Sequence, residues 1–339
     1  MSDEVLVSIL CITYNQEKYI RQCLDGFMMQ KTNFKFEVLI HDDASTDGTA
    51  DIIREYEQKY PDIIRPIYQT ENQWSKGIPV NSTFNYPRVT GKYVAMCEGD
   101  DYWTDQYKLQ KQVDFLEKHP DYSMCASNCL IEYIGINKSP QKYIPFRVLK
   151  GRTTFTTKDL WYINFIPTNT VMYKWDKNLI NLFEPGIFSG DWFMNIFYST
   201  KGKIKIFPAV SGVYHKHPEG ISWLCSYNTA ETFYLKYGQR QIKTFYCIYK
   251  NVLNSSREYA KKMLTYELSK LIGCCYKNKD FEQLKQVLND YPELVGQCIY
   301  EKQAWYKKWF DRFLKLSIIL GVLLGISTFI LGLYIINIL

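Results

Sequence analysis

The chain has 339 residues, enough for one sizeable domain with an appendage, and its 46% hydrophobic content is that of a folded protein. The net charge of +6 is modest and half of it falls in residues 301–315, so no nucleic-acid partner is expected. The ten cysteines lack the paired spacings of zinc sites, which favours reduced thiols. Because residues 1–4 are acidic where a secretory signal would be basic, no signal peptide is predicted.

The first third of the chain alternates between apolar runs and helical periodicity. The runs predict strands at residues 5–12, 36–40, 63–68 and 93–97, and the helical spacing predicts helices at 18–30, 51–60 and 105–118. This alternation implies right-handed crossovers and a mainly parallel, Rossmann-like α/β sheet. Residues 123–222 show only short strand-like runs, and residues 229–294 return to helical periodicity.

Three of the predicted strands end in polar side chains. Strand 5–12 leads into residues 13–17, strand 36–40 into the acidic stretch 41–48, and strand 93–97 into three carboxylates at 98–101. Ligands of parallel α/β sheets bind at the carboxyl ends of the strands, so one shared site is predicted. Crowded carboxylates need a neutralising cation, and Mg²⁺ or Mn²⁺ would bridge them to a diphosphate. The glycine-rich loops of P-loop ATPases and dinucleotide-binding dehydrogenases are absent.

The last 24 residues, 316–339, contain no charged side chain. As a helix they would be ~36 Å long and would span a ~30 Å hydrocarbon core with some tilt. Aromatic and lysine residues precede them, and the positive-inside rule then places the rest of the chain in the cytoplasm. The predicted localisation is the inner, cytoplasmic membrane, with a single-pass C-terminal anchor and a cytoplasmic catalytic domain.

Three sequence stretches together resemble family 2 glycosyltransferases of the bacterial surface-polysaccharide type. They are residues 7–15 (VSILCITYN), 42–48 (DDASTDG) and 98–103 (EGDDYW), and the resemblance extends over roughly residues 5–222. It implies a GT-A fold and a nucleotide-diphosphate sugar donor, with a UDP-sugar expected. It also implies a divalent cation, Mn²⁺ or Mg²⁺, inversion at the anomeric carbon, and a glycan or lipid-linked acceptor at the membrane face.

The resemblance also assigns roles to individual residues. Those implied to bind the donor nucleotide are Thr13, Tyr14, Asn15, Glu17, Asp43 and Asp100, with Asp43 accepting from a base N–H. Those implied to bind the metal are Asp101, Asp100 and His217. Asp191 stands where the family keeps its catalytic base. Glu98 replaces the first Asp of the family's Asp-x-Asp motif, which leaves a direct metal bond from it open, and Ala44 replaces a common glycine.

The predicted domains are a GT-A glycosyltransferase domain at 1–222, a helical region with a basic, aromatic juxtamembrane segment at 223–313, and a transmembrane helix at 314–339. Two alternatives are a non-catalytic sugar-nucleotide-binding membrane protein and a nucleotidyltransferase. The first would not need a base such as Asp191. The second would normally carry a Gly-, Arg- or Lys-rich triphosphate loop near the N-terminus, which residues 13–18 do not provide. Loops 69–91 and 133–151, which would set specificity, contain no interpretable motif.

Overall fold

A computed structural model describes residues 4–292 and residue 294, apart from 145, 162, 185, 189, 219, 221–229 and 253. The chain divides into two compact units, the first ending at Leu264 and the second beginning at Thr265. The first unit contains the sheet and every residue for which a role in the site is predicted. The predicted domain boundaries remain predictions.

The first half of the sheet follows the sequence pattern closely. Its elements are β1 (Val5–Thr13), α1 (Glu17–Met28), β2 (Lys35–Asp42), α2 (Thr49–Lys59), β3 (Ile64–Tyr68), β4 (Tyr93–Met96), β5 (Tyr102–Trp103) and α3 (Lys108–Lys118). Strands β3, β2, β1 and β4 are neighbours in this order and pair in parallel. The strands and helices predicted here are confirmed to within about three residues, and the carboxyl ends of β1, β2 and β4 lie at one edge of the sheet.

Helix α1 forms because its apolar residues recur at helical spacing, and it buries Ile20, Leu24 and Phe27 against the sheet. Gly26 lies on the same helix where it meets β5. A Cβ at this position would lie 2.9 Å from the backbone nitrogen of Trp103, so only glycine permits the contact. This close approach fixes the strand that directly follows the acidic residues 98–101.

The second half of the sheet adds short antiparallel strands, while the longest pairings of the sheet are parallel as predicted. Its elements are β6 (Tyr122–Tyr133), β7 (Gln141–Lys142), α4 (Phe146–Leu149), β8 (Thr154–Phe155), α5 (Thr157–Leu160), β9 (Met172–Lys174), α6 (Gly190–Lys201) and β10 (Lys203–Lys216). The short β9 inserts between β4 and β6 and is antiparallel to both. Strand β10 pairs in parallel with β6 and antiparallel with β5. Strand β10 therefore lies beside β5, next to the acidic residues 98–101.

Short helical turns connect several of these elements. They are Asn81–Asn85 and Tyr86–Arg88 between β3 and β4, Thr168–Thr170 before β9, and Lys177–Leu182 after it. Three longer helices follow the sheet: α7 (Ala230–Asn251), α8 (Asn254–Lys277) and α9 (Phe281–Asp290). Helix α7 packs on α6, with the rings of Phe245 and Trp192 5.0 Å apart between centroids.

The structure corrects the predicted transmembrane helix. Among the helices that it describes, none is both long enough and apolar enough to cross a membrane, because the long helices α7 and α8 carry charged side chains along their length. Residues 314–339 lie outside the described residues. The described fold is a GT-A-like α/β sheet with helices, and it does not support the predicted single-pass membrane localisation.

Candidate active site

The loop after β1 is bonded to the loop after β2. The Asn15 side-chain oxygen accepts from the Thr46 backbone N–H at 2.7 Å, and Glu17 Oε2 accepts from the Gly48 N–H at 3.0 Å. Asn15 adopts a left-handed backbone conformation, with φ of 51°. Both side chains were predicted to bind the donor, and in this structure they hold the two loops together. Tyr14, in contrast, is 45% exposed and free to contact a ligand.

Thr13 and Gly99 face each other where β1 and β4 end. Thr13 is buried, and its Oγ1 has no hydrogen-bond partner among the described residues. A Cβ on Gly99 would lie 2.8 Å from this oxygen, so the glycine keeps the space beside the hydroxyl open. Thr13 was predicted to contact the nucleotide, and an unpaired buried hydroxyl at a strand end is consistent with a ligand contact.

The Asp43 carboxylate is buried and holds the loop that follows β3. Its Oδ1 accepts from the Gln73 N–H at 2.8 Å and its Oδ2 from the Trp74 N–H at 3.0 Å, while His41 Nε2 lies 3.2 Å from Oδ1. Burial alone would raise the pKa of Asp43, but these hydrogen bonds outweigh it and the pKa is lowered. Asp43 is therefore an anion that fixes the 73–74 loop, and its predicted contact with a nucleobase stays a prediction.

The acidic stretch after β4 divides into buried and accessible carboxyls. Asp101 is 2% exposed and its Oδ1 accepts from the His215 N–H at 2.9 Å. Burial, with the charges of Asp100 and other neighbours, raises the pKa of Asp101 well above its ordinary value. Asp100 remains partly exposed, and its Oδ2 lies 3.0 Å from His217 Nε2. The structure thus brings Asp100 and His217 together and buries Asp101, and their predicted role as metal ligands stays a prediction.

Strand β10 brings His215 to the acidic edge, and His217 follows directly after the strand. His215 Nδ1 lies 2.6 Å from the carbonyl oxygen of Asp100. His217 stacks on Tyr19 of α1, with 5.3 Å between ring centroids, and its Nδ1 is buried without a hydrogen-bond partner among the residues described. Tyr19 thus fixes the plane of the His217 ring. Sequence analysis did not single out Tyr19, because one aromatic residue on an amphipathic helix carries no distinguishing signal.

Asp191 lies at the first turn of α6, where the helix N-terminus favours negative charge. Its Oδ2 accepts from Asn164 Nδ2 at 2.6 Å. Burial raises the pKa of Asp191, and hydrogen bonds from the Trp192 and Asp191 backbone and from Asn164 only partly oppose this effect. A carboxylate with increased proton affinity has the property that a general base requires near neutral pH.

Glu98 connects the acidic edge with Asp191. The residue is solvent-accessible, and partial burial of its carboxyl, followed by the charges of Asp100 and Asp191, raises the pKa of Glu98 to about 8. The charges of Asp100 and Asp191 therefore both raise the pKa of the same residue, Glu98. The tertiary structure brings these residues together although about ninety positions separate them in the sequence.

Helix α7 adds aromatic side chains between the two parts of the site. Its Tyr237 stacks on Phe188, which precedes Asp191, with 4.7 Å between ring centroids. Arg240 lies 5.0 Å from the ring centroid of Trp74, the residue whose N–H binds Asp43. The helical periodicity of residues 229–294 predicted a helix but gave no sign that it contacts the site, since contact across the fold leaves no local pattern.

Comparison with known proteins assigns the domain. Residues 8–174 match the family described as glycosyl transferase family 2. The chain is 38% identical over 228 residues to the uncharacterized protein Rv1520 of Mycobacterium tuberculosis, which covers 67% of this chain and 63% of that protein. The chain therefore spans less than two thirds of the length of this relative.

Solved structures share the fold. TarS residues 1–349 from S. aureus, in complex with UDP-GlcNAc, align with a TM-score of 0.51 and 17% identity over 85% of this chain and 92% of TarS. The mannosyltransferase PcManGT of Pyrobaculum calidifontis, in complex with GDP-Man and Mn²⁺, aligns with a TM-score of 0.53 and 16% identity over 91% and 83%. Residues 8–174 are therefore a family 2 glycosyltransferase domain, and the solved structures share its GT-A-like fold.

Proposed function

We propose that this protein transfers a sugar from a nucleoside-diphosphate sugar to an acceptor hydroxyl, with inversion, and that Asp191 is the general base. The observation that carries the proposal is the raised pKa of Asp191, at a helix start, beside the acidic residues at the end of β4. The family assignment and the two solved neighbours, which hold UDP-GlcNAc and GDP-Man, support the donor class. A UDP-sugar donor and a glycan or lipid-linked acceptor are the expected substrates.

The side chains at the acidic edge fit a divalent cation. Asp100 Oδ2 and His217 Nε2 lie 3.0 Å apart, roughly the edge of an octahedron with metal–ligand distances of ~2.1 Å. In this contact Nε2 donates to the Asp100 carboxylate, and it would present a lone pair to the cation once the ring proton moved to Nδ1, which has no partner among the described residues. Within the described part of the chain, no group of three or more His, Cys, Asp or Glu could hold a metal ion by itself.

The two side chains would therefore share the cation with diphosphate oxygens and water, as Mg²⁺ and Mn²⁺ commonly require. Asp100 and His217 are the proposed protein ligands. Asp101 is a weaker candidate because its carboxyl is buried and bonded to the His215 backbone. When bound, the cation would neutralise the charge that develops on the departing diphosphate.

Asp191 performs the proton transfer in the proposed reaction. The acceptor oxygen attacks the anomeric carbon while its proton passes to the Asp191 carboxylate. The bond between the anomeric carbon and the diphosphate oxygen breaks, and its electron pair leaves with the nucleoside diphosphate. One displacement of this kind inverts the anomeric configuration. Tyr14, exposed at the end of β1, and Thr13 Oγ1, unpaired beside Gly99, are the proposed nucleotide contacts.

A donor screen tests the proposal. Purified full-length protein would be incubated with UDP-GlcNAc, GDP-mannose and other nucleotide sugars in the presence of Mn²⁺ or Mg²⁺, and release of the nucleoside diphosphate would be measured. The expected result is metal-dependent release from one donor, lost in Asp191→Asn and retained in Asp121→Asn. Asp121 is a matched control because it is an exposed carboxylate paired with Lys203 outside the site. The proposal would be overturned if the protein neither bound nor turned over any nucleotide sugar.

A further inference from the structure

The Asp191 carboxylate is the end point of a chain of three polar side chains. Asn164 Nδ2 donates to Asp191 Oδ2 at 2.6 Å, Asn195 Nδ2 donates to Asn164 Oδ1 at 2.9 Å, and the Tyr173 hydroxyl donates to Asn195 Oδ1 at 2.7 Å. This series of hydrogen bonds links helix α6 to strand β9 through the loop that contains Asn164. Asn195 and Tyr173 are fully buried, so the chain cannot exchange freely with water.

The direction of these hydrogen bonds follows from the chemistry of the groups. An ionised carboxylate only accepts hydrogen bonds, so the amide nitrogen of Asn164 must face Asp191. The carbonyl oxygen of Asn164 then faces Asn195, which must donate, and the carbonyl of Asn195 is left to accept from Tyr173. Every donor in the chain therefore points toward the carboxylate, and the arrangement is complete only while Asp191 is an acceptor.

The two ends of the chain are held rigidly. Tyr173 stacks on Tyr198, with 4.6 Å between ring centroids, and both rings are buried. Asn195 lies four residues after Asp191 on α6, so both side chains lie on the same face of the helix. Asn164 is thus fixed from behind by a buried residue, and only its Nδ2 end is directed at the carboxylate.

We infer that Asn164 is a positioning residue for the base: it orients the Asp191 carboxylate and sets its affinity for the proton. This inference rests on the proposed function, because it gives Asp191 the role of base. If the three side chains served only to satisfy buried polar groups, they would need only to bond to one another. Such a role would not require every donor to point toward one carboxylate beside the acidic edge.

The electrostatic surroundings make the contribution of Asn164 distinctive. Burial raises the pKa of Glu98 to about 8, with the Asp191 charge adding to it, and burial and the same charge also raise the pKa values of Tyr86, Tyr143 and Tyr173. An ionised Glu98 would disfavour the Asp191 anion, and the three tyrosines are neutral at physiological pH. Hydrogen bonds from the Trp192 and Asp191 backbone and from Asn164 favour the anion and lower the pKa of Asp191. The bond from Asn164 is the one that a side-chain substitution removes. Its loss should therefore raise the pKa of Asp191, and base catalysis should then begin only at higher pH.

The test is a carboxyl NMR titration of full-length protein labelled with ¹³Cγ-aspartate, which needs no substrate. The resonance missing in Asp191→Asn assigns Asp191. In Asn164→Ala the titration midpoint of that resonance should move to higher pH. In Asn164→Asp it should move further, because two carboxyls in contact cannot both ionise readily. Asn195→Ala and Tyr173→Phe should give smaller shifts in the same direction, since each removes a more distant member of the chain.

Turnover of UDP-GlcNAc with Mn²⁺ provides a second measurement. Loss of a hydrogen bond to a charged group should lower kcat of Asn164→Ala by about 10- to 100-fold at neutral pH, with the acid limb of the pH profile moved upward and KM for the donor little changed. The control is Asn251→Ala, which removes an amide that donates to the Cys247 carbonyl at the end of α7. It should leave both the titration and the profile unchanged.

The outcomes separate the inference from the proposed function. An unmoved Asp191 midpoint in folded Asn164→Ala and Asn164→Asp protein overturns the inference. If Asn164→Ala does not fold, Asn164→Asp and Tyr173→Phe decide by the same criterion, because each changes few atoms. Full turnover in Asp191→Asn would instead refute the base role itself, whatever the Asn164 variants show. Upward shifts together with an inactive Asp191→Asn support both.

Discussion

Asp43 and Asp191 show how differently the two parts of the site treat the same side chain. Asp43, after β2, is held by two backbone N–H groups and has a lowered pKa. Asp191, at the start of α6, accepts from backbone N–H groups of its own helix turn and from the side-chain amide of Asn164, yet its pKa is raised. At Asp43 the hydrogen bonds outweigh burial, so the carboxylate is a fixed anion that shapes a loop. At Asp191 burial outweighs the hydrogen bonds, so the carboxylate keeps the proton affinity that a general base needs.

The neighbours Asp100 and Asp101 differ in burial and in hydrogen-bond partner. Asp101 accepts from the His215 backbone and is buried, whereas Asp100 meets the side chain of His217 and remains partly exposed. The buried Asp101 is therefore a structural part of the site, whereas Asp100 is placed to contact a ligand. This distinction can be tested by variants of each member of the two pairs.

The largest expected effect belongs to Asp191→Asn. Asparagine keeps the shape of the side chain but cannot accept the proton, so transfer should fall by ~10²- to 10⁴-fold. Affinity for the nucleoside diphosphate and for Mn²⁺ should stay near wild type, because neither contacts the base. Parallel calorimetry and transfer assays would check this. Unchanged transfer would move the base elsewhere, with Glu98 the next candidate.

The second effect separates Asp100 from Asp101. Asp100→Asn removes a proposed metal ligand and should weaken Mn²⁺ affinity in the presence of nucleoside diphosphate by about tenfold or more. Asp101→Asn should affect metal affinity less and folding stability more, since its partner is the His215 backbone. Metal titration and thermal unfolding of both variants would measure this. Equal loss of metal affinity in folded Asp100→Asn and Asp101→Asn would show that both carboxyls bind the metal.

The third effect is an opposite change in stability. Asp43→Asn replaces an acceptor of two backbone N–H groups and should lower the free energy of unfolding at pH 7 by about 2 kcal/mol. Asp191→Asn removes a carboxylate whose charged form burial disfavours, and should raise the free energy of unfolding. Denaturant unfolding at pH 7 would compare the two variants with wild type. A loss of stability in both would contradict the contrast.

The pH dependence of that effect follows from the two pKa shifts. The folded pKa of Asp43 lies below its unfolded value of about 3.9, so its stabilisation is present above that pH and is lost as pH falls through the folded pKa. The folded pKa of Asp191 lies above its unfolded value, so wild type loses stability as pH rises from about 3.9 through the folded pKa. The gain in Asp191→Asn should therefore vanish at low pH.

The smallest expected effect concerns Ala44, beside Asp43, which adopts a left-handed conformation with φ of 65°. This conformation costs a non-glycine residue roughly 1 kcal/mol, and Ala44→Gly should remove that cost. The greater conformational freedom of glycine in the unfolded chain should offset part of the gain. The expected change is a gain of no more than about 1 kcal/mol. Ala50→Gly in α2 is the matched control and should lose about 1 kcal/mol, because its backbone is helical. Equal losses at both positions would show that Ala44 is not strained.

The first half of the sheet could be predicted because its information is local. Apolar runs and helical periodicity specified β1 to β4 and α1 to α3, and parallel pairing then required the polar ends of β1, β2 and β4 to share one edge. The antiparallel strand β9 was not placed by the sequence pattern, because a three-residue strand has no period of its own. Its place between β4 and β6 is decided by packing.

The sequence by itself determined the residue types that the chemistry needs and the strand ends that carry them, since charge and periodicity are read directly from the chain. Only the tertiary structure decided how each carboxyl behaves. Asp43 and Asp101 accept from backbone N–H groups far along the chain, and Asp100 and Asp191 contact His217 and Asn164, which lie 117 and 27 positions away. The proton affinity of a carboxyl depends on its burial and on the donors that surround it, and contacts between distant parts of the chain set both.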